Sequence, residues 1–357
     1  MMFFKLAPTT YQPNTTIENF ETLAWTERYQ SPGDFKLVVD NEINILTTFP
    51  YGTLVSHTDT RAVGIVENHE IERDKDKNLK ITISGRTFET FLEERVTAGS
   101  LTALYTTGIA NVQTTGVISS CHAALALINA ALTPGTATAN DQITNFSASE
   151  TMRVHPTAMN HVIKRGDVYG NVLELSRIAK AGIKSERPAS GVVDTLKLIV
   201  HDGVDRIGTV IFYAQSGDLE DAKYFWSNKN YRNYAQIATH ITARLYKNRD
   251  IATTPTGLDR RVVYVEANDL EGAYSPPTAT DVVAGRAQGV LDETVIVSLL
   301  QAKIAATAKP KFKIDYDVGD LVKVYGEFSS NTNMRVTEHI LTVDKNGTQG
   351  YPSLSAV

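Results

Sequence analysis

The sequence has almost no cysteine and no long apolar run. Cys121 is the one cysteine among 357 residues, so an internal disulfide is excluded and synthesis in a reducing cytosol is compatible with the chain. No run of about 18 apolar residues occurs, and a membrane-spanning helix is therefore not expected. The start, Met1–Leu6, lacks the charged region and long apolar core of a secretory signal, and we expect a first strand there.

Motifs of catalysis and cofactor binding are also missing. The chain has no Gly-x-Gly-x-x-Gly, Walker loop, His-Glu-x-x-His or Gly-x-Ser-x-Gly sequence. It has no cysteine and histidine cluster with the spacing of a zinc site. Cys121 lies among the apolar residues of Gly116–Leu132, which favours a buried thiol over a nucleophile. We therefore predict no enzyme activity and no catalytic, cofactor-binding or metal-binding residues.

Three weaker patterns have simpler interpretations. Asp74-x-Asp76-x-Asn78 begins like a calcium loop, but Leu79 and Gly85 stand where glycine and a chelating glutamate are needed, so we interpret it as a solvated turn. His155 and His161, six residues apart, are interpreted as loop or partly buried histidines. The carboxylate pairs Glu70/Glu72 and Glu93/Glu94 are more typical of solvated or ion-paired groups than of a glycosidase.

Composition indicates a globular protein of two or three domains, with 42% hydrophobic and 21% charged residues. The formal net charge of -5 gives no global electrostatic reason to bind nucleic acid. The aromatic and basic stretch Tyr224–Tyr234 is therefore assigned to an interface or a core rather than to base stacking.

Hydrophobic periodicity predicts a β-rich chain with a few helices. Helical spacing occurs at Arg86–Arg95, Gly116–Leu132, Tyr169–Ala181 and Ala279–Gln301. Period-two alternation predicts strands at Phe35–Val39 (continuing through Ile43, Ile45 and Thr47), Ala62–Ile71, Leu79–Ile83, Leu196–Val200, Val210–Ala214, Arg261–Glu266, Phe312–Tyr316, Leu321–Tyr325 and Arg335–Val343. Residues 233–245 fit a helix and a strand equally well. Asn346-Gly347 predicts a tight hairpin turn after the last of these strands.

An ordered set of short patterns runs through nearly the whole chain. The pieces are Trp25-Thr26-Glu27-Arg28-Tyr29, Gly33-Asp34-Phe35-Lys36-Leu37, Gly64-Ile65-Val66-Glu67, Ile83-Ser84-Gly85-Arg86, Phe91-Leu92-Glu93-Glu94-Arg95, Tyr316–Val324 and Arg335-Val336-Thr337-Glu338. Together they cover about a tenth of the chain, in order across nearly all of it. The set resembles the hub proteins of siphophage tail tips, often called minor tail proteins, which are similar to the baseplate hubs of contractile phages.

The resemblance implies a β-rich α+β fold. Two tube-like β-barrel or sandwich domains with helical insertions would assemble as a homotrimeric ring. The expected divisions are residues 1–100 for the first tube-like domain, 101–185 for an α/β insertion, 186–250 with 310–357 for a split second tube-like domain, and 251–309 for a helix-containing insertion.

Eight residues are structural or interface candidates in that setting. Trp25 and Phe35 would fill a small β core, and Gly33-Asp34 and Gly319-Asp320 would form turns between strands. Arg86 and Arg95 flank a short helix and would pair with carboxylates across a subunit contact.

The resemblance also implies a structural role in the virion tail tip, assembled in the host cytoplasm. The hub would close the tail tube, open for DNA ejection, and bind the distal tail ring protein, the tape-measure protein and receptor-binding or fibre proteins. DNA would pass only as cargo. Because the chain stops at Val357, soon after the last matched strand, we expect a minimal hub without a lysin or fibre extension. The alternatives are a tail-associated cell-wall hydrolase and a carbohydrate-binding adhesion module using Tyr224–Tyr234.

Overall fold

The fold is described from a computed structural model of the chain. It covers residues 1–356 except 41–43, 74–78, 97–104, 110–111, 116–117, 138, 156–161, 165, 193, 214–216, 239–244, 250–253, 267–283, 285, 292–293, 295, 306–307 and 327–328. The calcium-like sequence Asp74-x-Asp76-x-Asn78 and His161 lie outside the described residues. None of the described helices is both long enough and apolar enough to cross a bilayer.

The N-terminal region is built mainly of strands: β1 (Phe3–Leu6), β2 (Pro13–Ile17), β3 (Thr22–Arg28), β4 (Asp34–Asp40), β5 (Leu54–His57), β6 (Gly64–Arg73) and β7 (Leu79–Thr87). A short helix α1 (Ile45–Thr48) lies between β4 and β5, and a 3-10 helix (Phe88–Glu94) follows β7. The alternation in β4 sends Phe35, Leu37 and Val39 into the core, while Lys36 faces solvent, as the period-two pattern requires.

The middle region combines two helices with short strands. Its elements are β8 (Tyr105–Ile109), β9 (Val112–Thr115), α2 (Ser120–Leu132), β10 (Phe146–Thr151), β11 (Val162–Lys164), α3 (Val168–Ile178), β12 (Gly182–Glu186) and β13 (Leu196–His201). Ser119 and Asp167 are the N-caps of α2 and α3, where their side chains accept backbone N–H groups of the first turn. Both helices bury apolar side chains in one core with the sheet β10-β13-β12.

The C-terminal region returns to strands: β14 (Ile211–Tyr213), β15 (Leu219–Ser227), β16 (Tyr234–Ala238), β17 (Leu245–Asn248), β18 (Val262–Glu266), β19 (Val297–Ile304), β20 (Leu321–Gly326), β21 (Ser329–Asp344) and β22 (Gly347–Ala356). A 3-10 helix (Gly257–Asp259) precedes β18, and residues 284 and 286–291 are helical. β21 and β22 form the predicted hairpin, with Asp344 opposite Gly347.

One large sheet joins the two ends of the chain. Its 13 strands include the order β15-β19-β22-β21-β3-β4-β7-β6-β5-β1-β2, with β20 paired to β21 and β14 paired to β20. The join is the antiparallel pair of β21 and β3, in which Leu341 lies opposite Trp25. The prediction of a β-rich fold with few helices is confirmed, and no closed barrel is found within the described residues.

Three local predictions were wrong. Ile45 and Thr47 belong to helix α1 rather than a strand, because the hydroxyls of Thr47 and Thr48 donate to the Asn44 carbonyl and close a helical turn. Phe312–Tyr316 is a turn, since Lys313 adopts a left-handed φ of 65°.

The third error concerns the end of the predicted helix Ala279–Gln301. Residues 297–301 form part of β19, where pairing on both sides with β15 and β22 overrides helical periodicity. The ambiguous segment 233–245 contains strand β16 and the first residue of β17, and residues 239–244 lie outside the described residues.

Candidate assembly site

The loop before β20 is anchored by the buried carboxylate of Asp320. Its oxygens accept the backbone N–H of Val204 at 2.7 Å and of Asp317 at 2.9 Å, and the Arg206 Nε–H at 2.7 Å. Asp320 is 2% exposed, so these donors replace the water that the carboxylate loses on folding. The carboxylate therefore fastens the segment after β13 to the turn before β20.

Gly319 lets this turn approach the N-terminal sheet. Its φ is +95°, and a Cβ atom there would lie 2.7 Å from the Tyr29 ring and 2.8 Å from His201. Its carbonyl accepts a hydrogen bond from Arg335 Nη1 at 2.7 Å. Gly203 packs against the same carbonyl with a φ of +70°. Only glycine combines this backbone angle with so little space.

Tyr29 lies at the centre of the contact between the three regions. Its hydroxyl donates to the Lys180 carbonyl at 2.7 Å and accepts from Arg335 at 3.1 Å. The Arg335 guanidinium also lies 4.8 Å from the Tyr29 ring centroid, and the His201 ring meets Tyr29 edge-on. Burial raises the pKa of Tyr29 to about 12. Tyr29 is therefore a neutral anchor that joins β3 to the end of α3 and to β13.

A network of charges lies beside this anchor. Lys313 Nζ donates to Glu27 Oε2 and to Asp317 Oδ1, both at 2.6 Å. Lys184 of β12 donates to the other Asp317 oxygen at 3.3 Å and pairs with Glu186 at 2.9 Å. The network thus connects β3, β12 and the turn before β20. We name Tyr29 and Arg335, with Glu27, Lys184, Lys313, Asp317, Gly319 and Asp320, the central junction.

The charges in the central junction are mutually stabilised. Burial disfavours the Asp317 carboxylate, but Lys313 and Lys184 outweigh it and hold its pKa below the usual value. Burial likewise disfavours the Lys313 ammonium, but Asp317 and Glu27 raise its pKa. Asp317 and Lys313 are therefore both ionised at neutral pH, and removal of one leaves the other with less compensation.

Four predicted residues lie together on the neighbouring hairpin of β3 and β4. Trp25 lies opposite Phe35, with ring centroids 5.5 Å apart, and both side chains are buried. Gly33 stands where a Cβ atom would be 2.0 Å from the Thr26 carbonyl oxygen. Asp34 starts β4 and pairs with Arg28 at 2.6 Å.

The two predicted arginines have partners within the chain. Arg86 forms ion pairs with Glu67 at 2.9 Å and Glu93 at 3.0 Å, and the hydrogen bonds that it donates to Glu67 are the largest cause that raises its pKa. The Arg95 guanidinium lies 4.4 Å from the Phe91 ring centroid. Both side chains remain partly exposed, on the side of the 3-10 helix rather than at the central junction.

A cleft of about 500 Å³ opens beside the junction, lined by Trp25, Glu27, His57, Phe312 and His339 among others. Its Glu27 carboxylate is engaged on both oxygens, by Thr60 at 2.7 Å and by Lys313 at 2.6 Å. Burial lowers the pKa of His57 and of His339 to about 3, far from the value that proton transfer at neutral pH requires. These three residues are therefore poorly suited to general acid and base catalysis.

Several residues of the central junction were not selected from the sequence. Glu27, Tyr29, Asp317 and Arg335 stand inside the short patterns quoted for the family resemblance, so that resemblance contained a signal for them. Lys184 and Lys313 stand in no such pattern. The contacts of Lys313 with Glu27 and of Lys184 with Asp317 span more than a hundred residues, whereas the pairs Lys313–Asp317 and Lys184–Glu186 are local.

Comparison with known proteins gives a family match over almost the whole chain. Residues 8–352 match the model of a family described as Siphovirus ReqiPepy6 Gp37-like protein. No curated protein matches the sequence.

Solved structures share the fold at low identity. The 43 kDa tail protein of prophage MuSo2 from Shewanella oneidensis aligns with a TM-score of 0.62 and 11% identity, covering 99% of this chain and 97% of that one. A tail protein from Neisseria meningitidis MC58 aligns with a TM-score of 0.59 and 12% identity, covering 99% and 96%. Prophage tail protein gp18 from Listeria monocytogenes EGD-e aligns with a TM-score of 0.52 and 9% identity, covering 99% and 94%.

Proposed function

Because the chain belongs to the Siphovirus ReqiPepy6 Gp37-like family of phage tail proteins, we propose that it is the structural hub of a tail tip. In this role it closes the tail tube, links the tube to distal tail and receptor-binding proteins, and opens for DNA ejection. The tail tip of the virion is its site of action.

The observation that carries the proposal is the open sheet that contains both ends of the chain. The two ends of its main strand order, β15 and β2, each pair with a single described strand, as does the side branch β14. Long free edges invite pairing with another chain. On β15 the side chains of Phe225 and Trp226 are 50% and 56% exposed. A closed ring of identical subunits would cover such edges.

The ring we propose is a homotrimer. Each subunit supplies two tube-like β units, one from residues 1–100 and one from 186–250 with 310–357, so that three subunits present six units to the tube. Residues 101–185 and 251–309 are the proposed insertions on this frame, although β19 within the second of them pairs with β15 and β22 in the large sheet. The central junction supports the arrangement, because it fixes the two β units rigidly against each other through Tyr29, Lys313 and Arg335.

The proposed hub has no catalytic step of its own. The engaged Glu27 carboxylate and the neutral buried histidines of the cleft support this part of the proposal. Its partners would be the distal tail ring protein, the tape-measure protein and receptor-binding or fibre proteins.

Mass photometry and electron microscopy of the full chain test the proposal. We expect particles of three times the 39.2 kDa chain mass and threefold rings that join the end of isolated tail tubes. Trp226→Glu on the edge strand should shift the particles towards the monomer. The matched control is Leu258→Glu, at a 99% exposed leucine on the short 3-10 helix before β18. A monomer with no affinity for tail tubes would refute the hub role.

The exposed aromatic residues of β15 favour one alternative, a carbohydrate-binding adhesion module. Phe225 and Trp226 are about half exposed, and exposed aromatic rings are the groups that stack on sugar rings. Glycan binding by a monomeric chain, lost in Trp226→Ala, would support the adhesion module over the hub.

A further inference from the structure

Four side chains with metal-binding atoms meet at the start of α2. Cys121 and His122 lie in the first turn of α2, Glu150 lies in β10, and His155 lies just after β10. One ligand atom from each lies within 4.8 Å of every other. We propose that these four residues form a binding site for a zinc-class divalent cation.

The distances fit a four-coordinate site. Zinc bonds of about 2.3 Å to sulfur and about 2.0–2.2 Å to nitrogen and oxygen place neighbouring tetrahedral ligand atoms about 3.3–3.6 Å apart. The Cys121 sulfur lies 3.4 Å from His155 Nδ1, and His122 Nε2 lies 3.0 Å from Glu150 Oε1. Small side-chain adjustments therefore suffice to place a cation between the two pairs.

The surroundings orient the ligands as metal sites do. His122 Nδ1 lies 2.6 Å from the Ser119 hydroxyl, which leaves Nε2 to face Glu150. A ligating histidine ordinarily bonds its second ring nitrogen to such a partner. Ser119 is also the N-cap of α2, so the helix itself holds this partner in place.

The electrostatics also favour a cation. Burial raises the pKa of the free Cys121 thiol, so its proton would leave when the cation binds; a Cys121 thiolate and the Glu150 carboxylate then supply two negative charges, and a divalent ion gives a neutral site. The second carboxylate oxygen, Glu150 Oε2, is buried and accepts no hydrogen bond from the described residues. An acceptor left buried in this way is costly, and a bound cation compensates for it.

The site is open to its ligand on one side. His122 and His155 are exposed, whereas Cys121 is buried, so an ion from solvent meets the imidazoles before the sulfur. Once bound, the cation would fix the segment after β10 to the start of α2. The sequence had paired His155 only with His161, because Cys121, His122 and Glu150 reach it through the fold and not through spacing.

Cobalt titration of the untagged, chelator-treated full chain tests the site. We expect one equivalent of Co²⁺ to bind with visible bands of four-coordinate geometry and a thiolate-to-metal charge-transfer band, and Zn²⁺ to displace it. Cys121→Ser should remove the charge-transfer band. His155→Ala, at an exposed position outside any helix or strand, should weaken binding at least tenfold without loss of fold by circular dichroism.

One control variant and one further test variant complete the experiment. His69→Ala removes a histidine of β6 that bonds the Phe49 carbonyl and should leave the cobalt spectrum unchanged. Ser119→Ala should weaken binding by roughly 10–100-fold if Ser119 orients His122. A folded chain that binds no Co²⁺ at micromolar concentration, or a spectrum that Cys121→Ser leaves intact, would overturn the proposal. The four residues would then form an ordinary His122–Glu150 ion pair beside a buried thiol.

Discussion

Gly319 lies directly against the ring of Tyr29, so closely that a Cβ atom on Gly319 would be 2.7 Å from Tyr29 Cε2. The two residues are 290 positions apart in the sequence. Their contact brings the turn before β20 onto the residue that directly follows β3. The central junction depends on this approach, because Arg335 donates to Tyr29 and to the Gly319 carbonyl from the same nitrogen.

Gly319→Ala should therefore destabilise the protein strongly. The new methyl group would lie closer to Tyr29 and His201 than normal contact distance. In addition, the backbone at this position has a positive φ that alanine rarely adopts. We expect a loss of at least ~3 kcal/mol in the free energy of unfolding, measured by urea denaturation.

The hairpin glycine Gly347 provides the matched control. Its φ is +113°, but no atom lies within 4 Å of a Cβ built there. Gly347→Ala should lose only about 1–2 kcal/mol, from backbone strain alone. Equal losses in the two variants would show that the approach to Tyr29 is not tight.

Asp320→Ala should release the segment that follows β13. The change leaves the partly buried N–H groups of Val204 and Asp317 without their acceptor and breaks the ion pair with Arg206. Because Arg206 is one-third exposed, most of the cost comes from the N–H groups, and we expect a loss of about 2–4 kcal/mol. Asp205→Ala, at an exposed position with a 4.0 Å ion pair, should cost no more than about 1 kcal/mol. A similar loss in both variants would contradict the anchoring role of Asp320.

Sequence patterns predicted the strands that carry their own periodicity and turn signals. The strand β4, the β6–β7 hairpin and the Asn346-Gly347 turn are such cases, since alternation and turn residues act within a few positions. The 3-10 helix and α2 and α3 likewise stand where helical spacing placed them.

Contacts between distant segments were not predictable in this way. The pairing of β21 with β3 and the ion pairs of Lys313 depend on which segments meet after folding. The same applies to β19. The periodicity of its first residues, 297–301, predicts a helix, but pairing with β15 and β22 makes them a strand. Of the candidate sites, Gly319-Asp320 carried a turn signal, whereas Lys184 and Lys313 carried none.

Stability should fall as the pH is lowered from 6.5. Burial is the leading cause that lowers the pKa of His57, His201 and His339 to about 3. Between about pH 6.5 and pH 3 the histidines of the unfolded chain bind protons that those of the folded chain exclude. The unfolded state is therefore stabilised relative to the folded state as the pH falls. We expect each histidine to lower the free energy of unfolding at pH 5 by roughly 2 kcal/mol relative to neutral pH. Burial raises the pKa of Glu89, which acts in the opposite sense.

Replacement of one histidine tests this assignment. His339→Gln should reduce the dependence of unfolding free energy on pH, measured by urea denaturation at several pH values between 5 and 7.5. Phe312 stacks on His339 with ring centroids 3.6 Å apart, so Phe312→Leu disturbs the same packing but keeps the titrating group. Its pH dependence should match that of the parent protein. An unchanged slope in His339→Gln would argue against protonation of this residue as a cause.

The charges around Lys313 should behave as one unit. Lys313→Met leaves Glu27 without its lysine and Asp317 with only Lys184. Loss of one member of a buried ion pair is ordinarily expensive. Because the Lys313 side chain is 20% exposed, we expect a moderate loss of about 2–3 kcal/mol, measured by urea denaturation at pH 7.

The neutral triple variant separates charge from packing. In Lys313→Met/Glu27→Gln/Asp317→Asn the uncompensated carboxylates are gone, and a buried network replaced as a whole is often neutral in stability. The triple variant should therefore be more stable than Lys313→Met alone, although it carries two further substitutions. If losses instead added with each substitution, the residues would contribute separately by packing and local hydrogen bonds. Additive losses are expected only for residues that do not interact. Because Lys313 contacts both carboxylates at 2.6 Å, we expect the losses not to add.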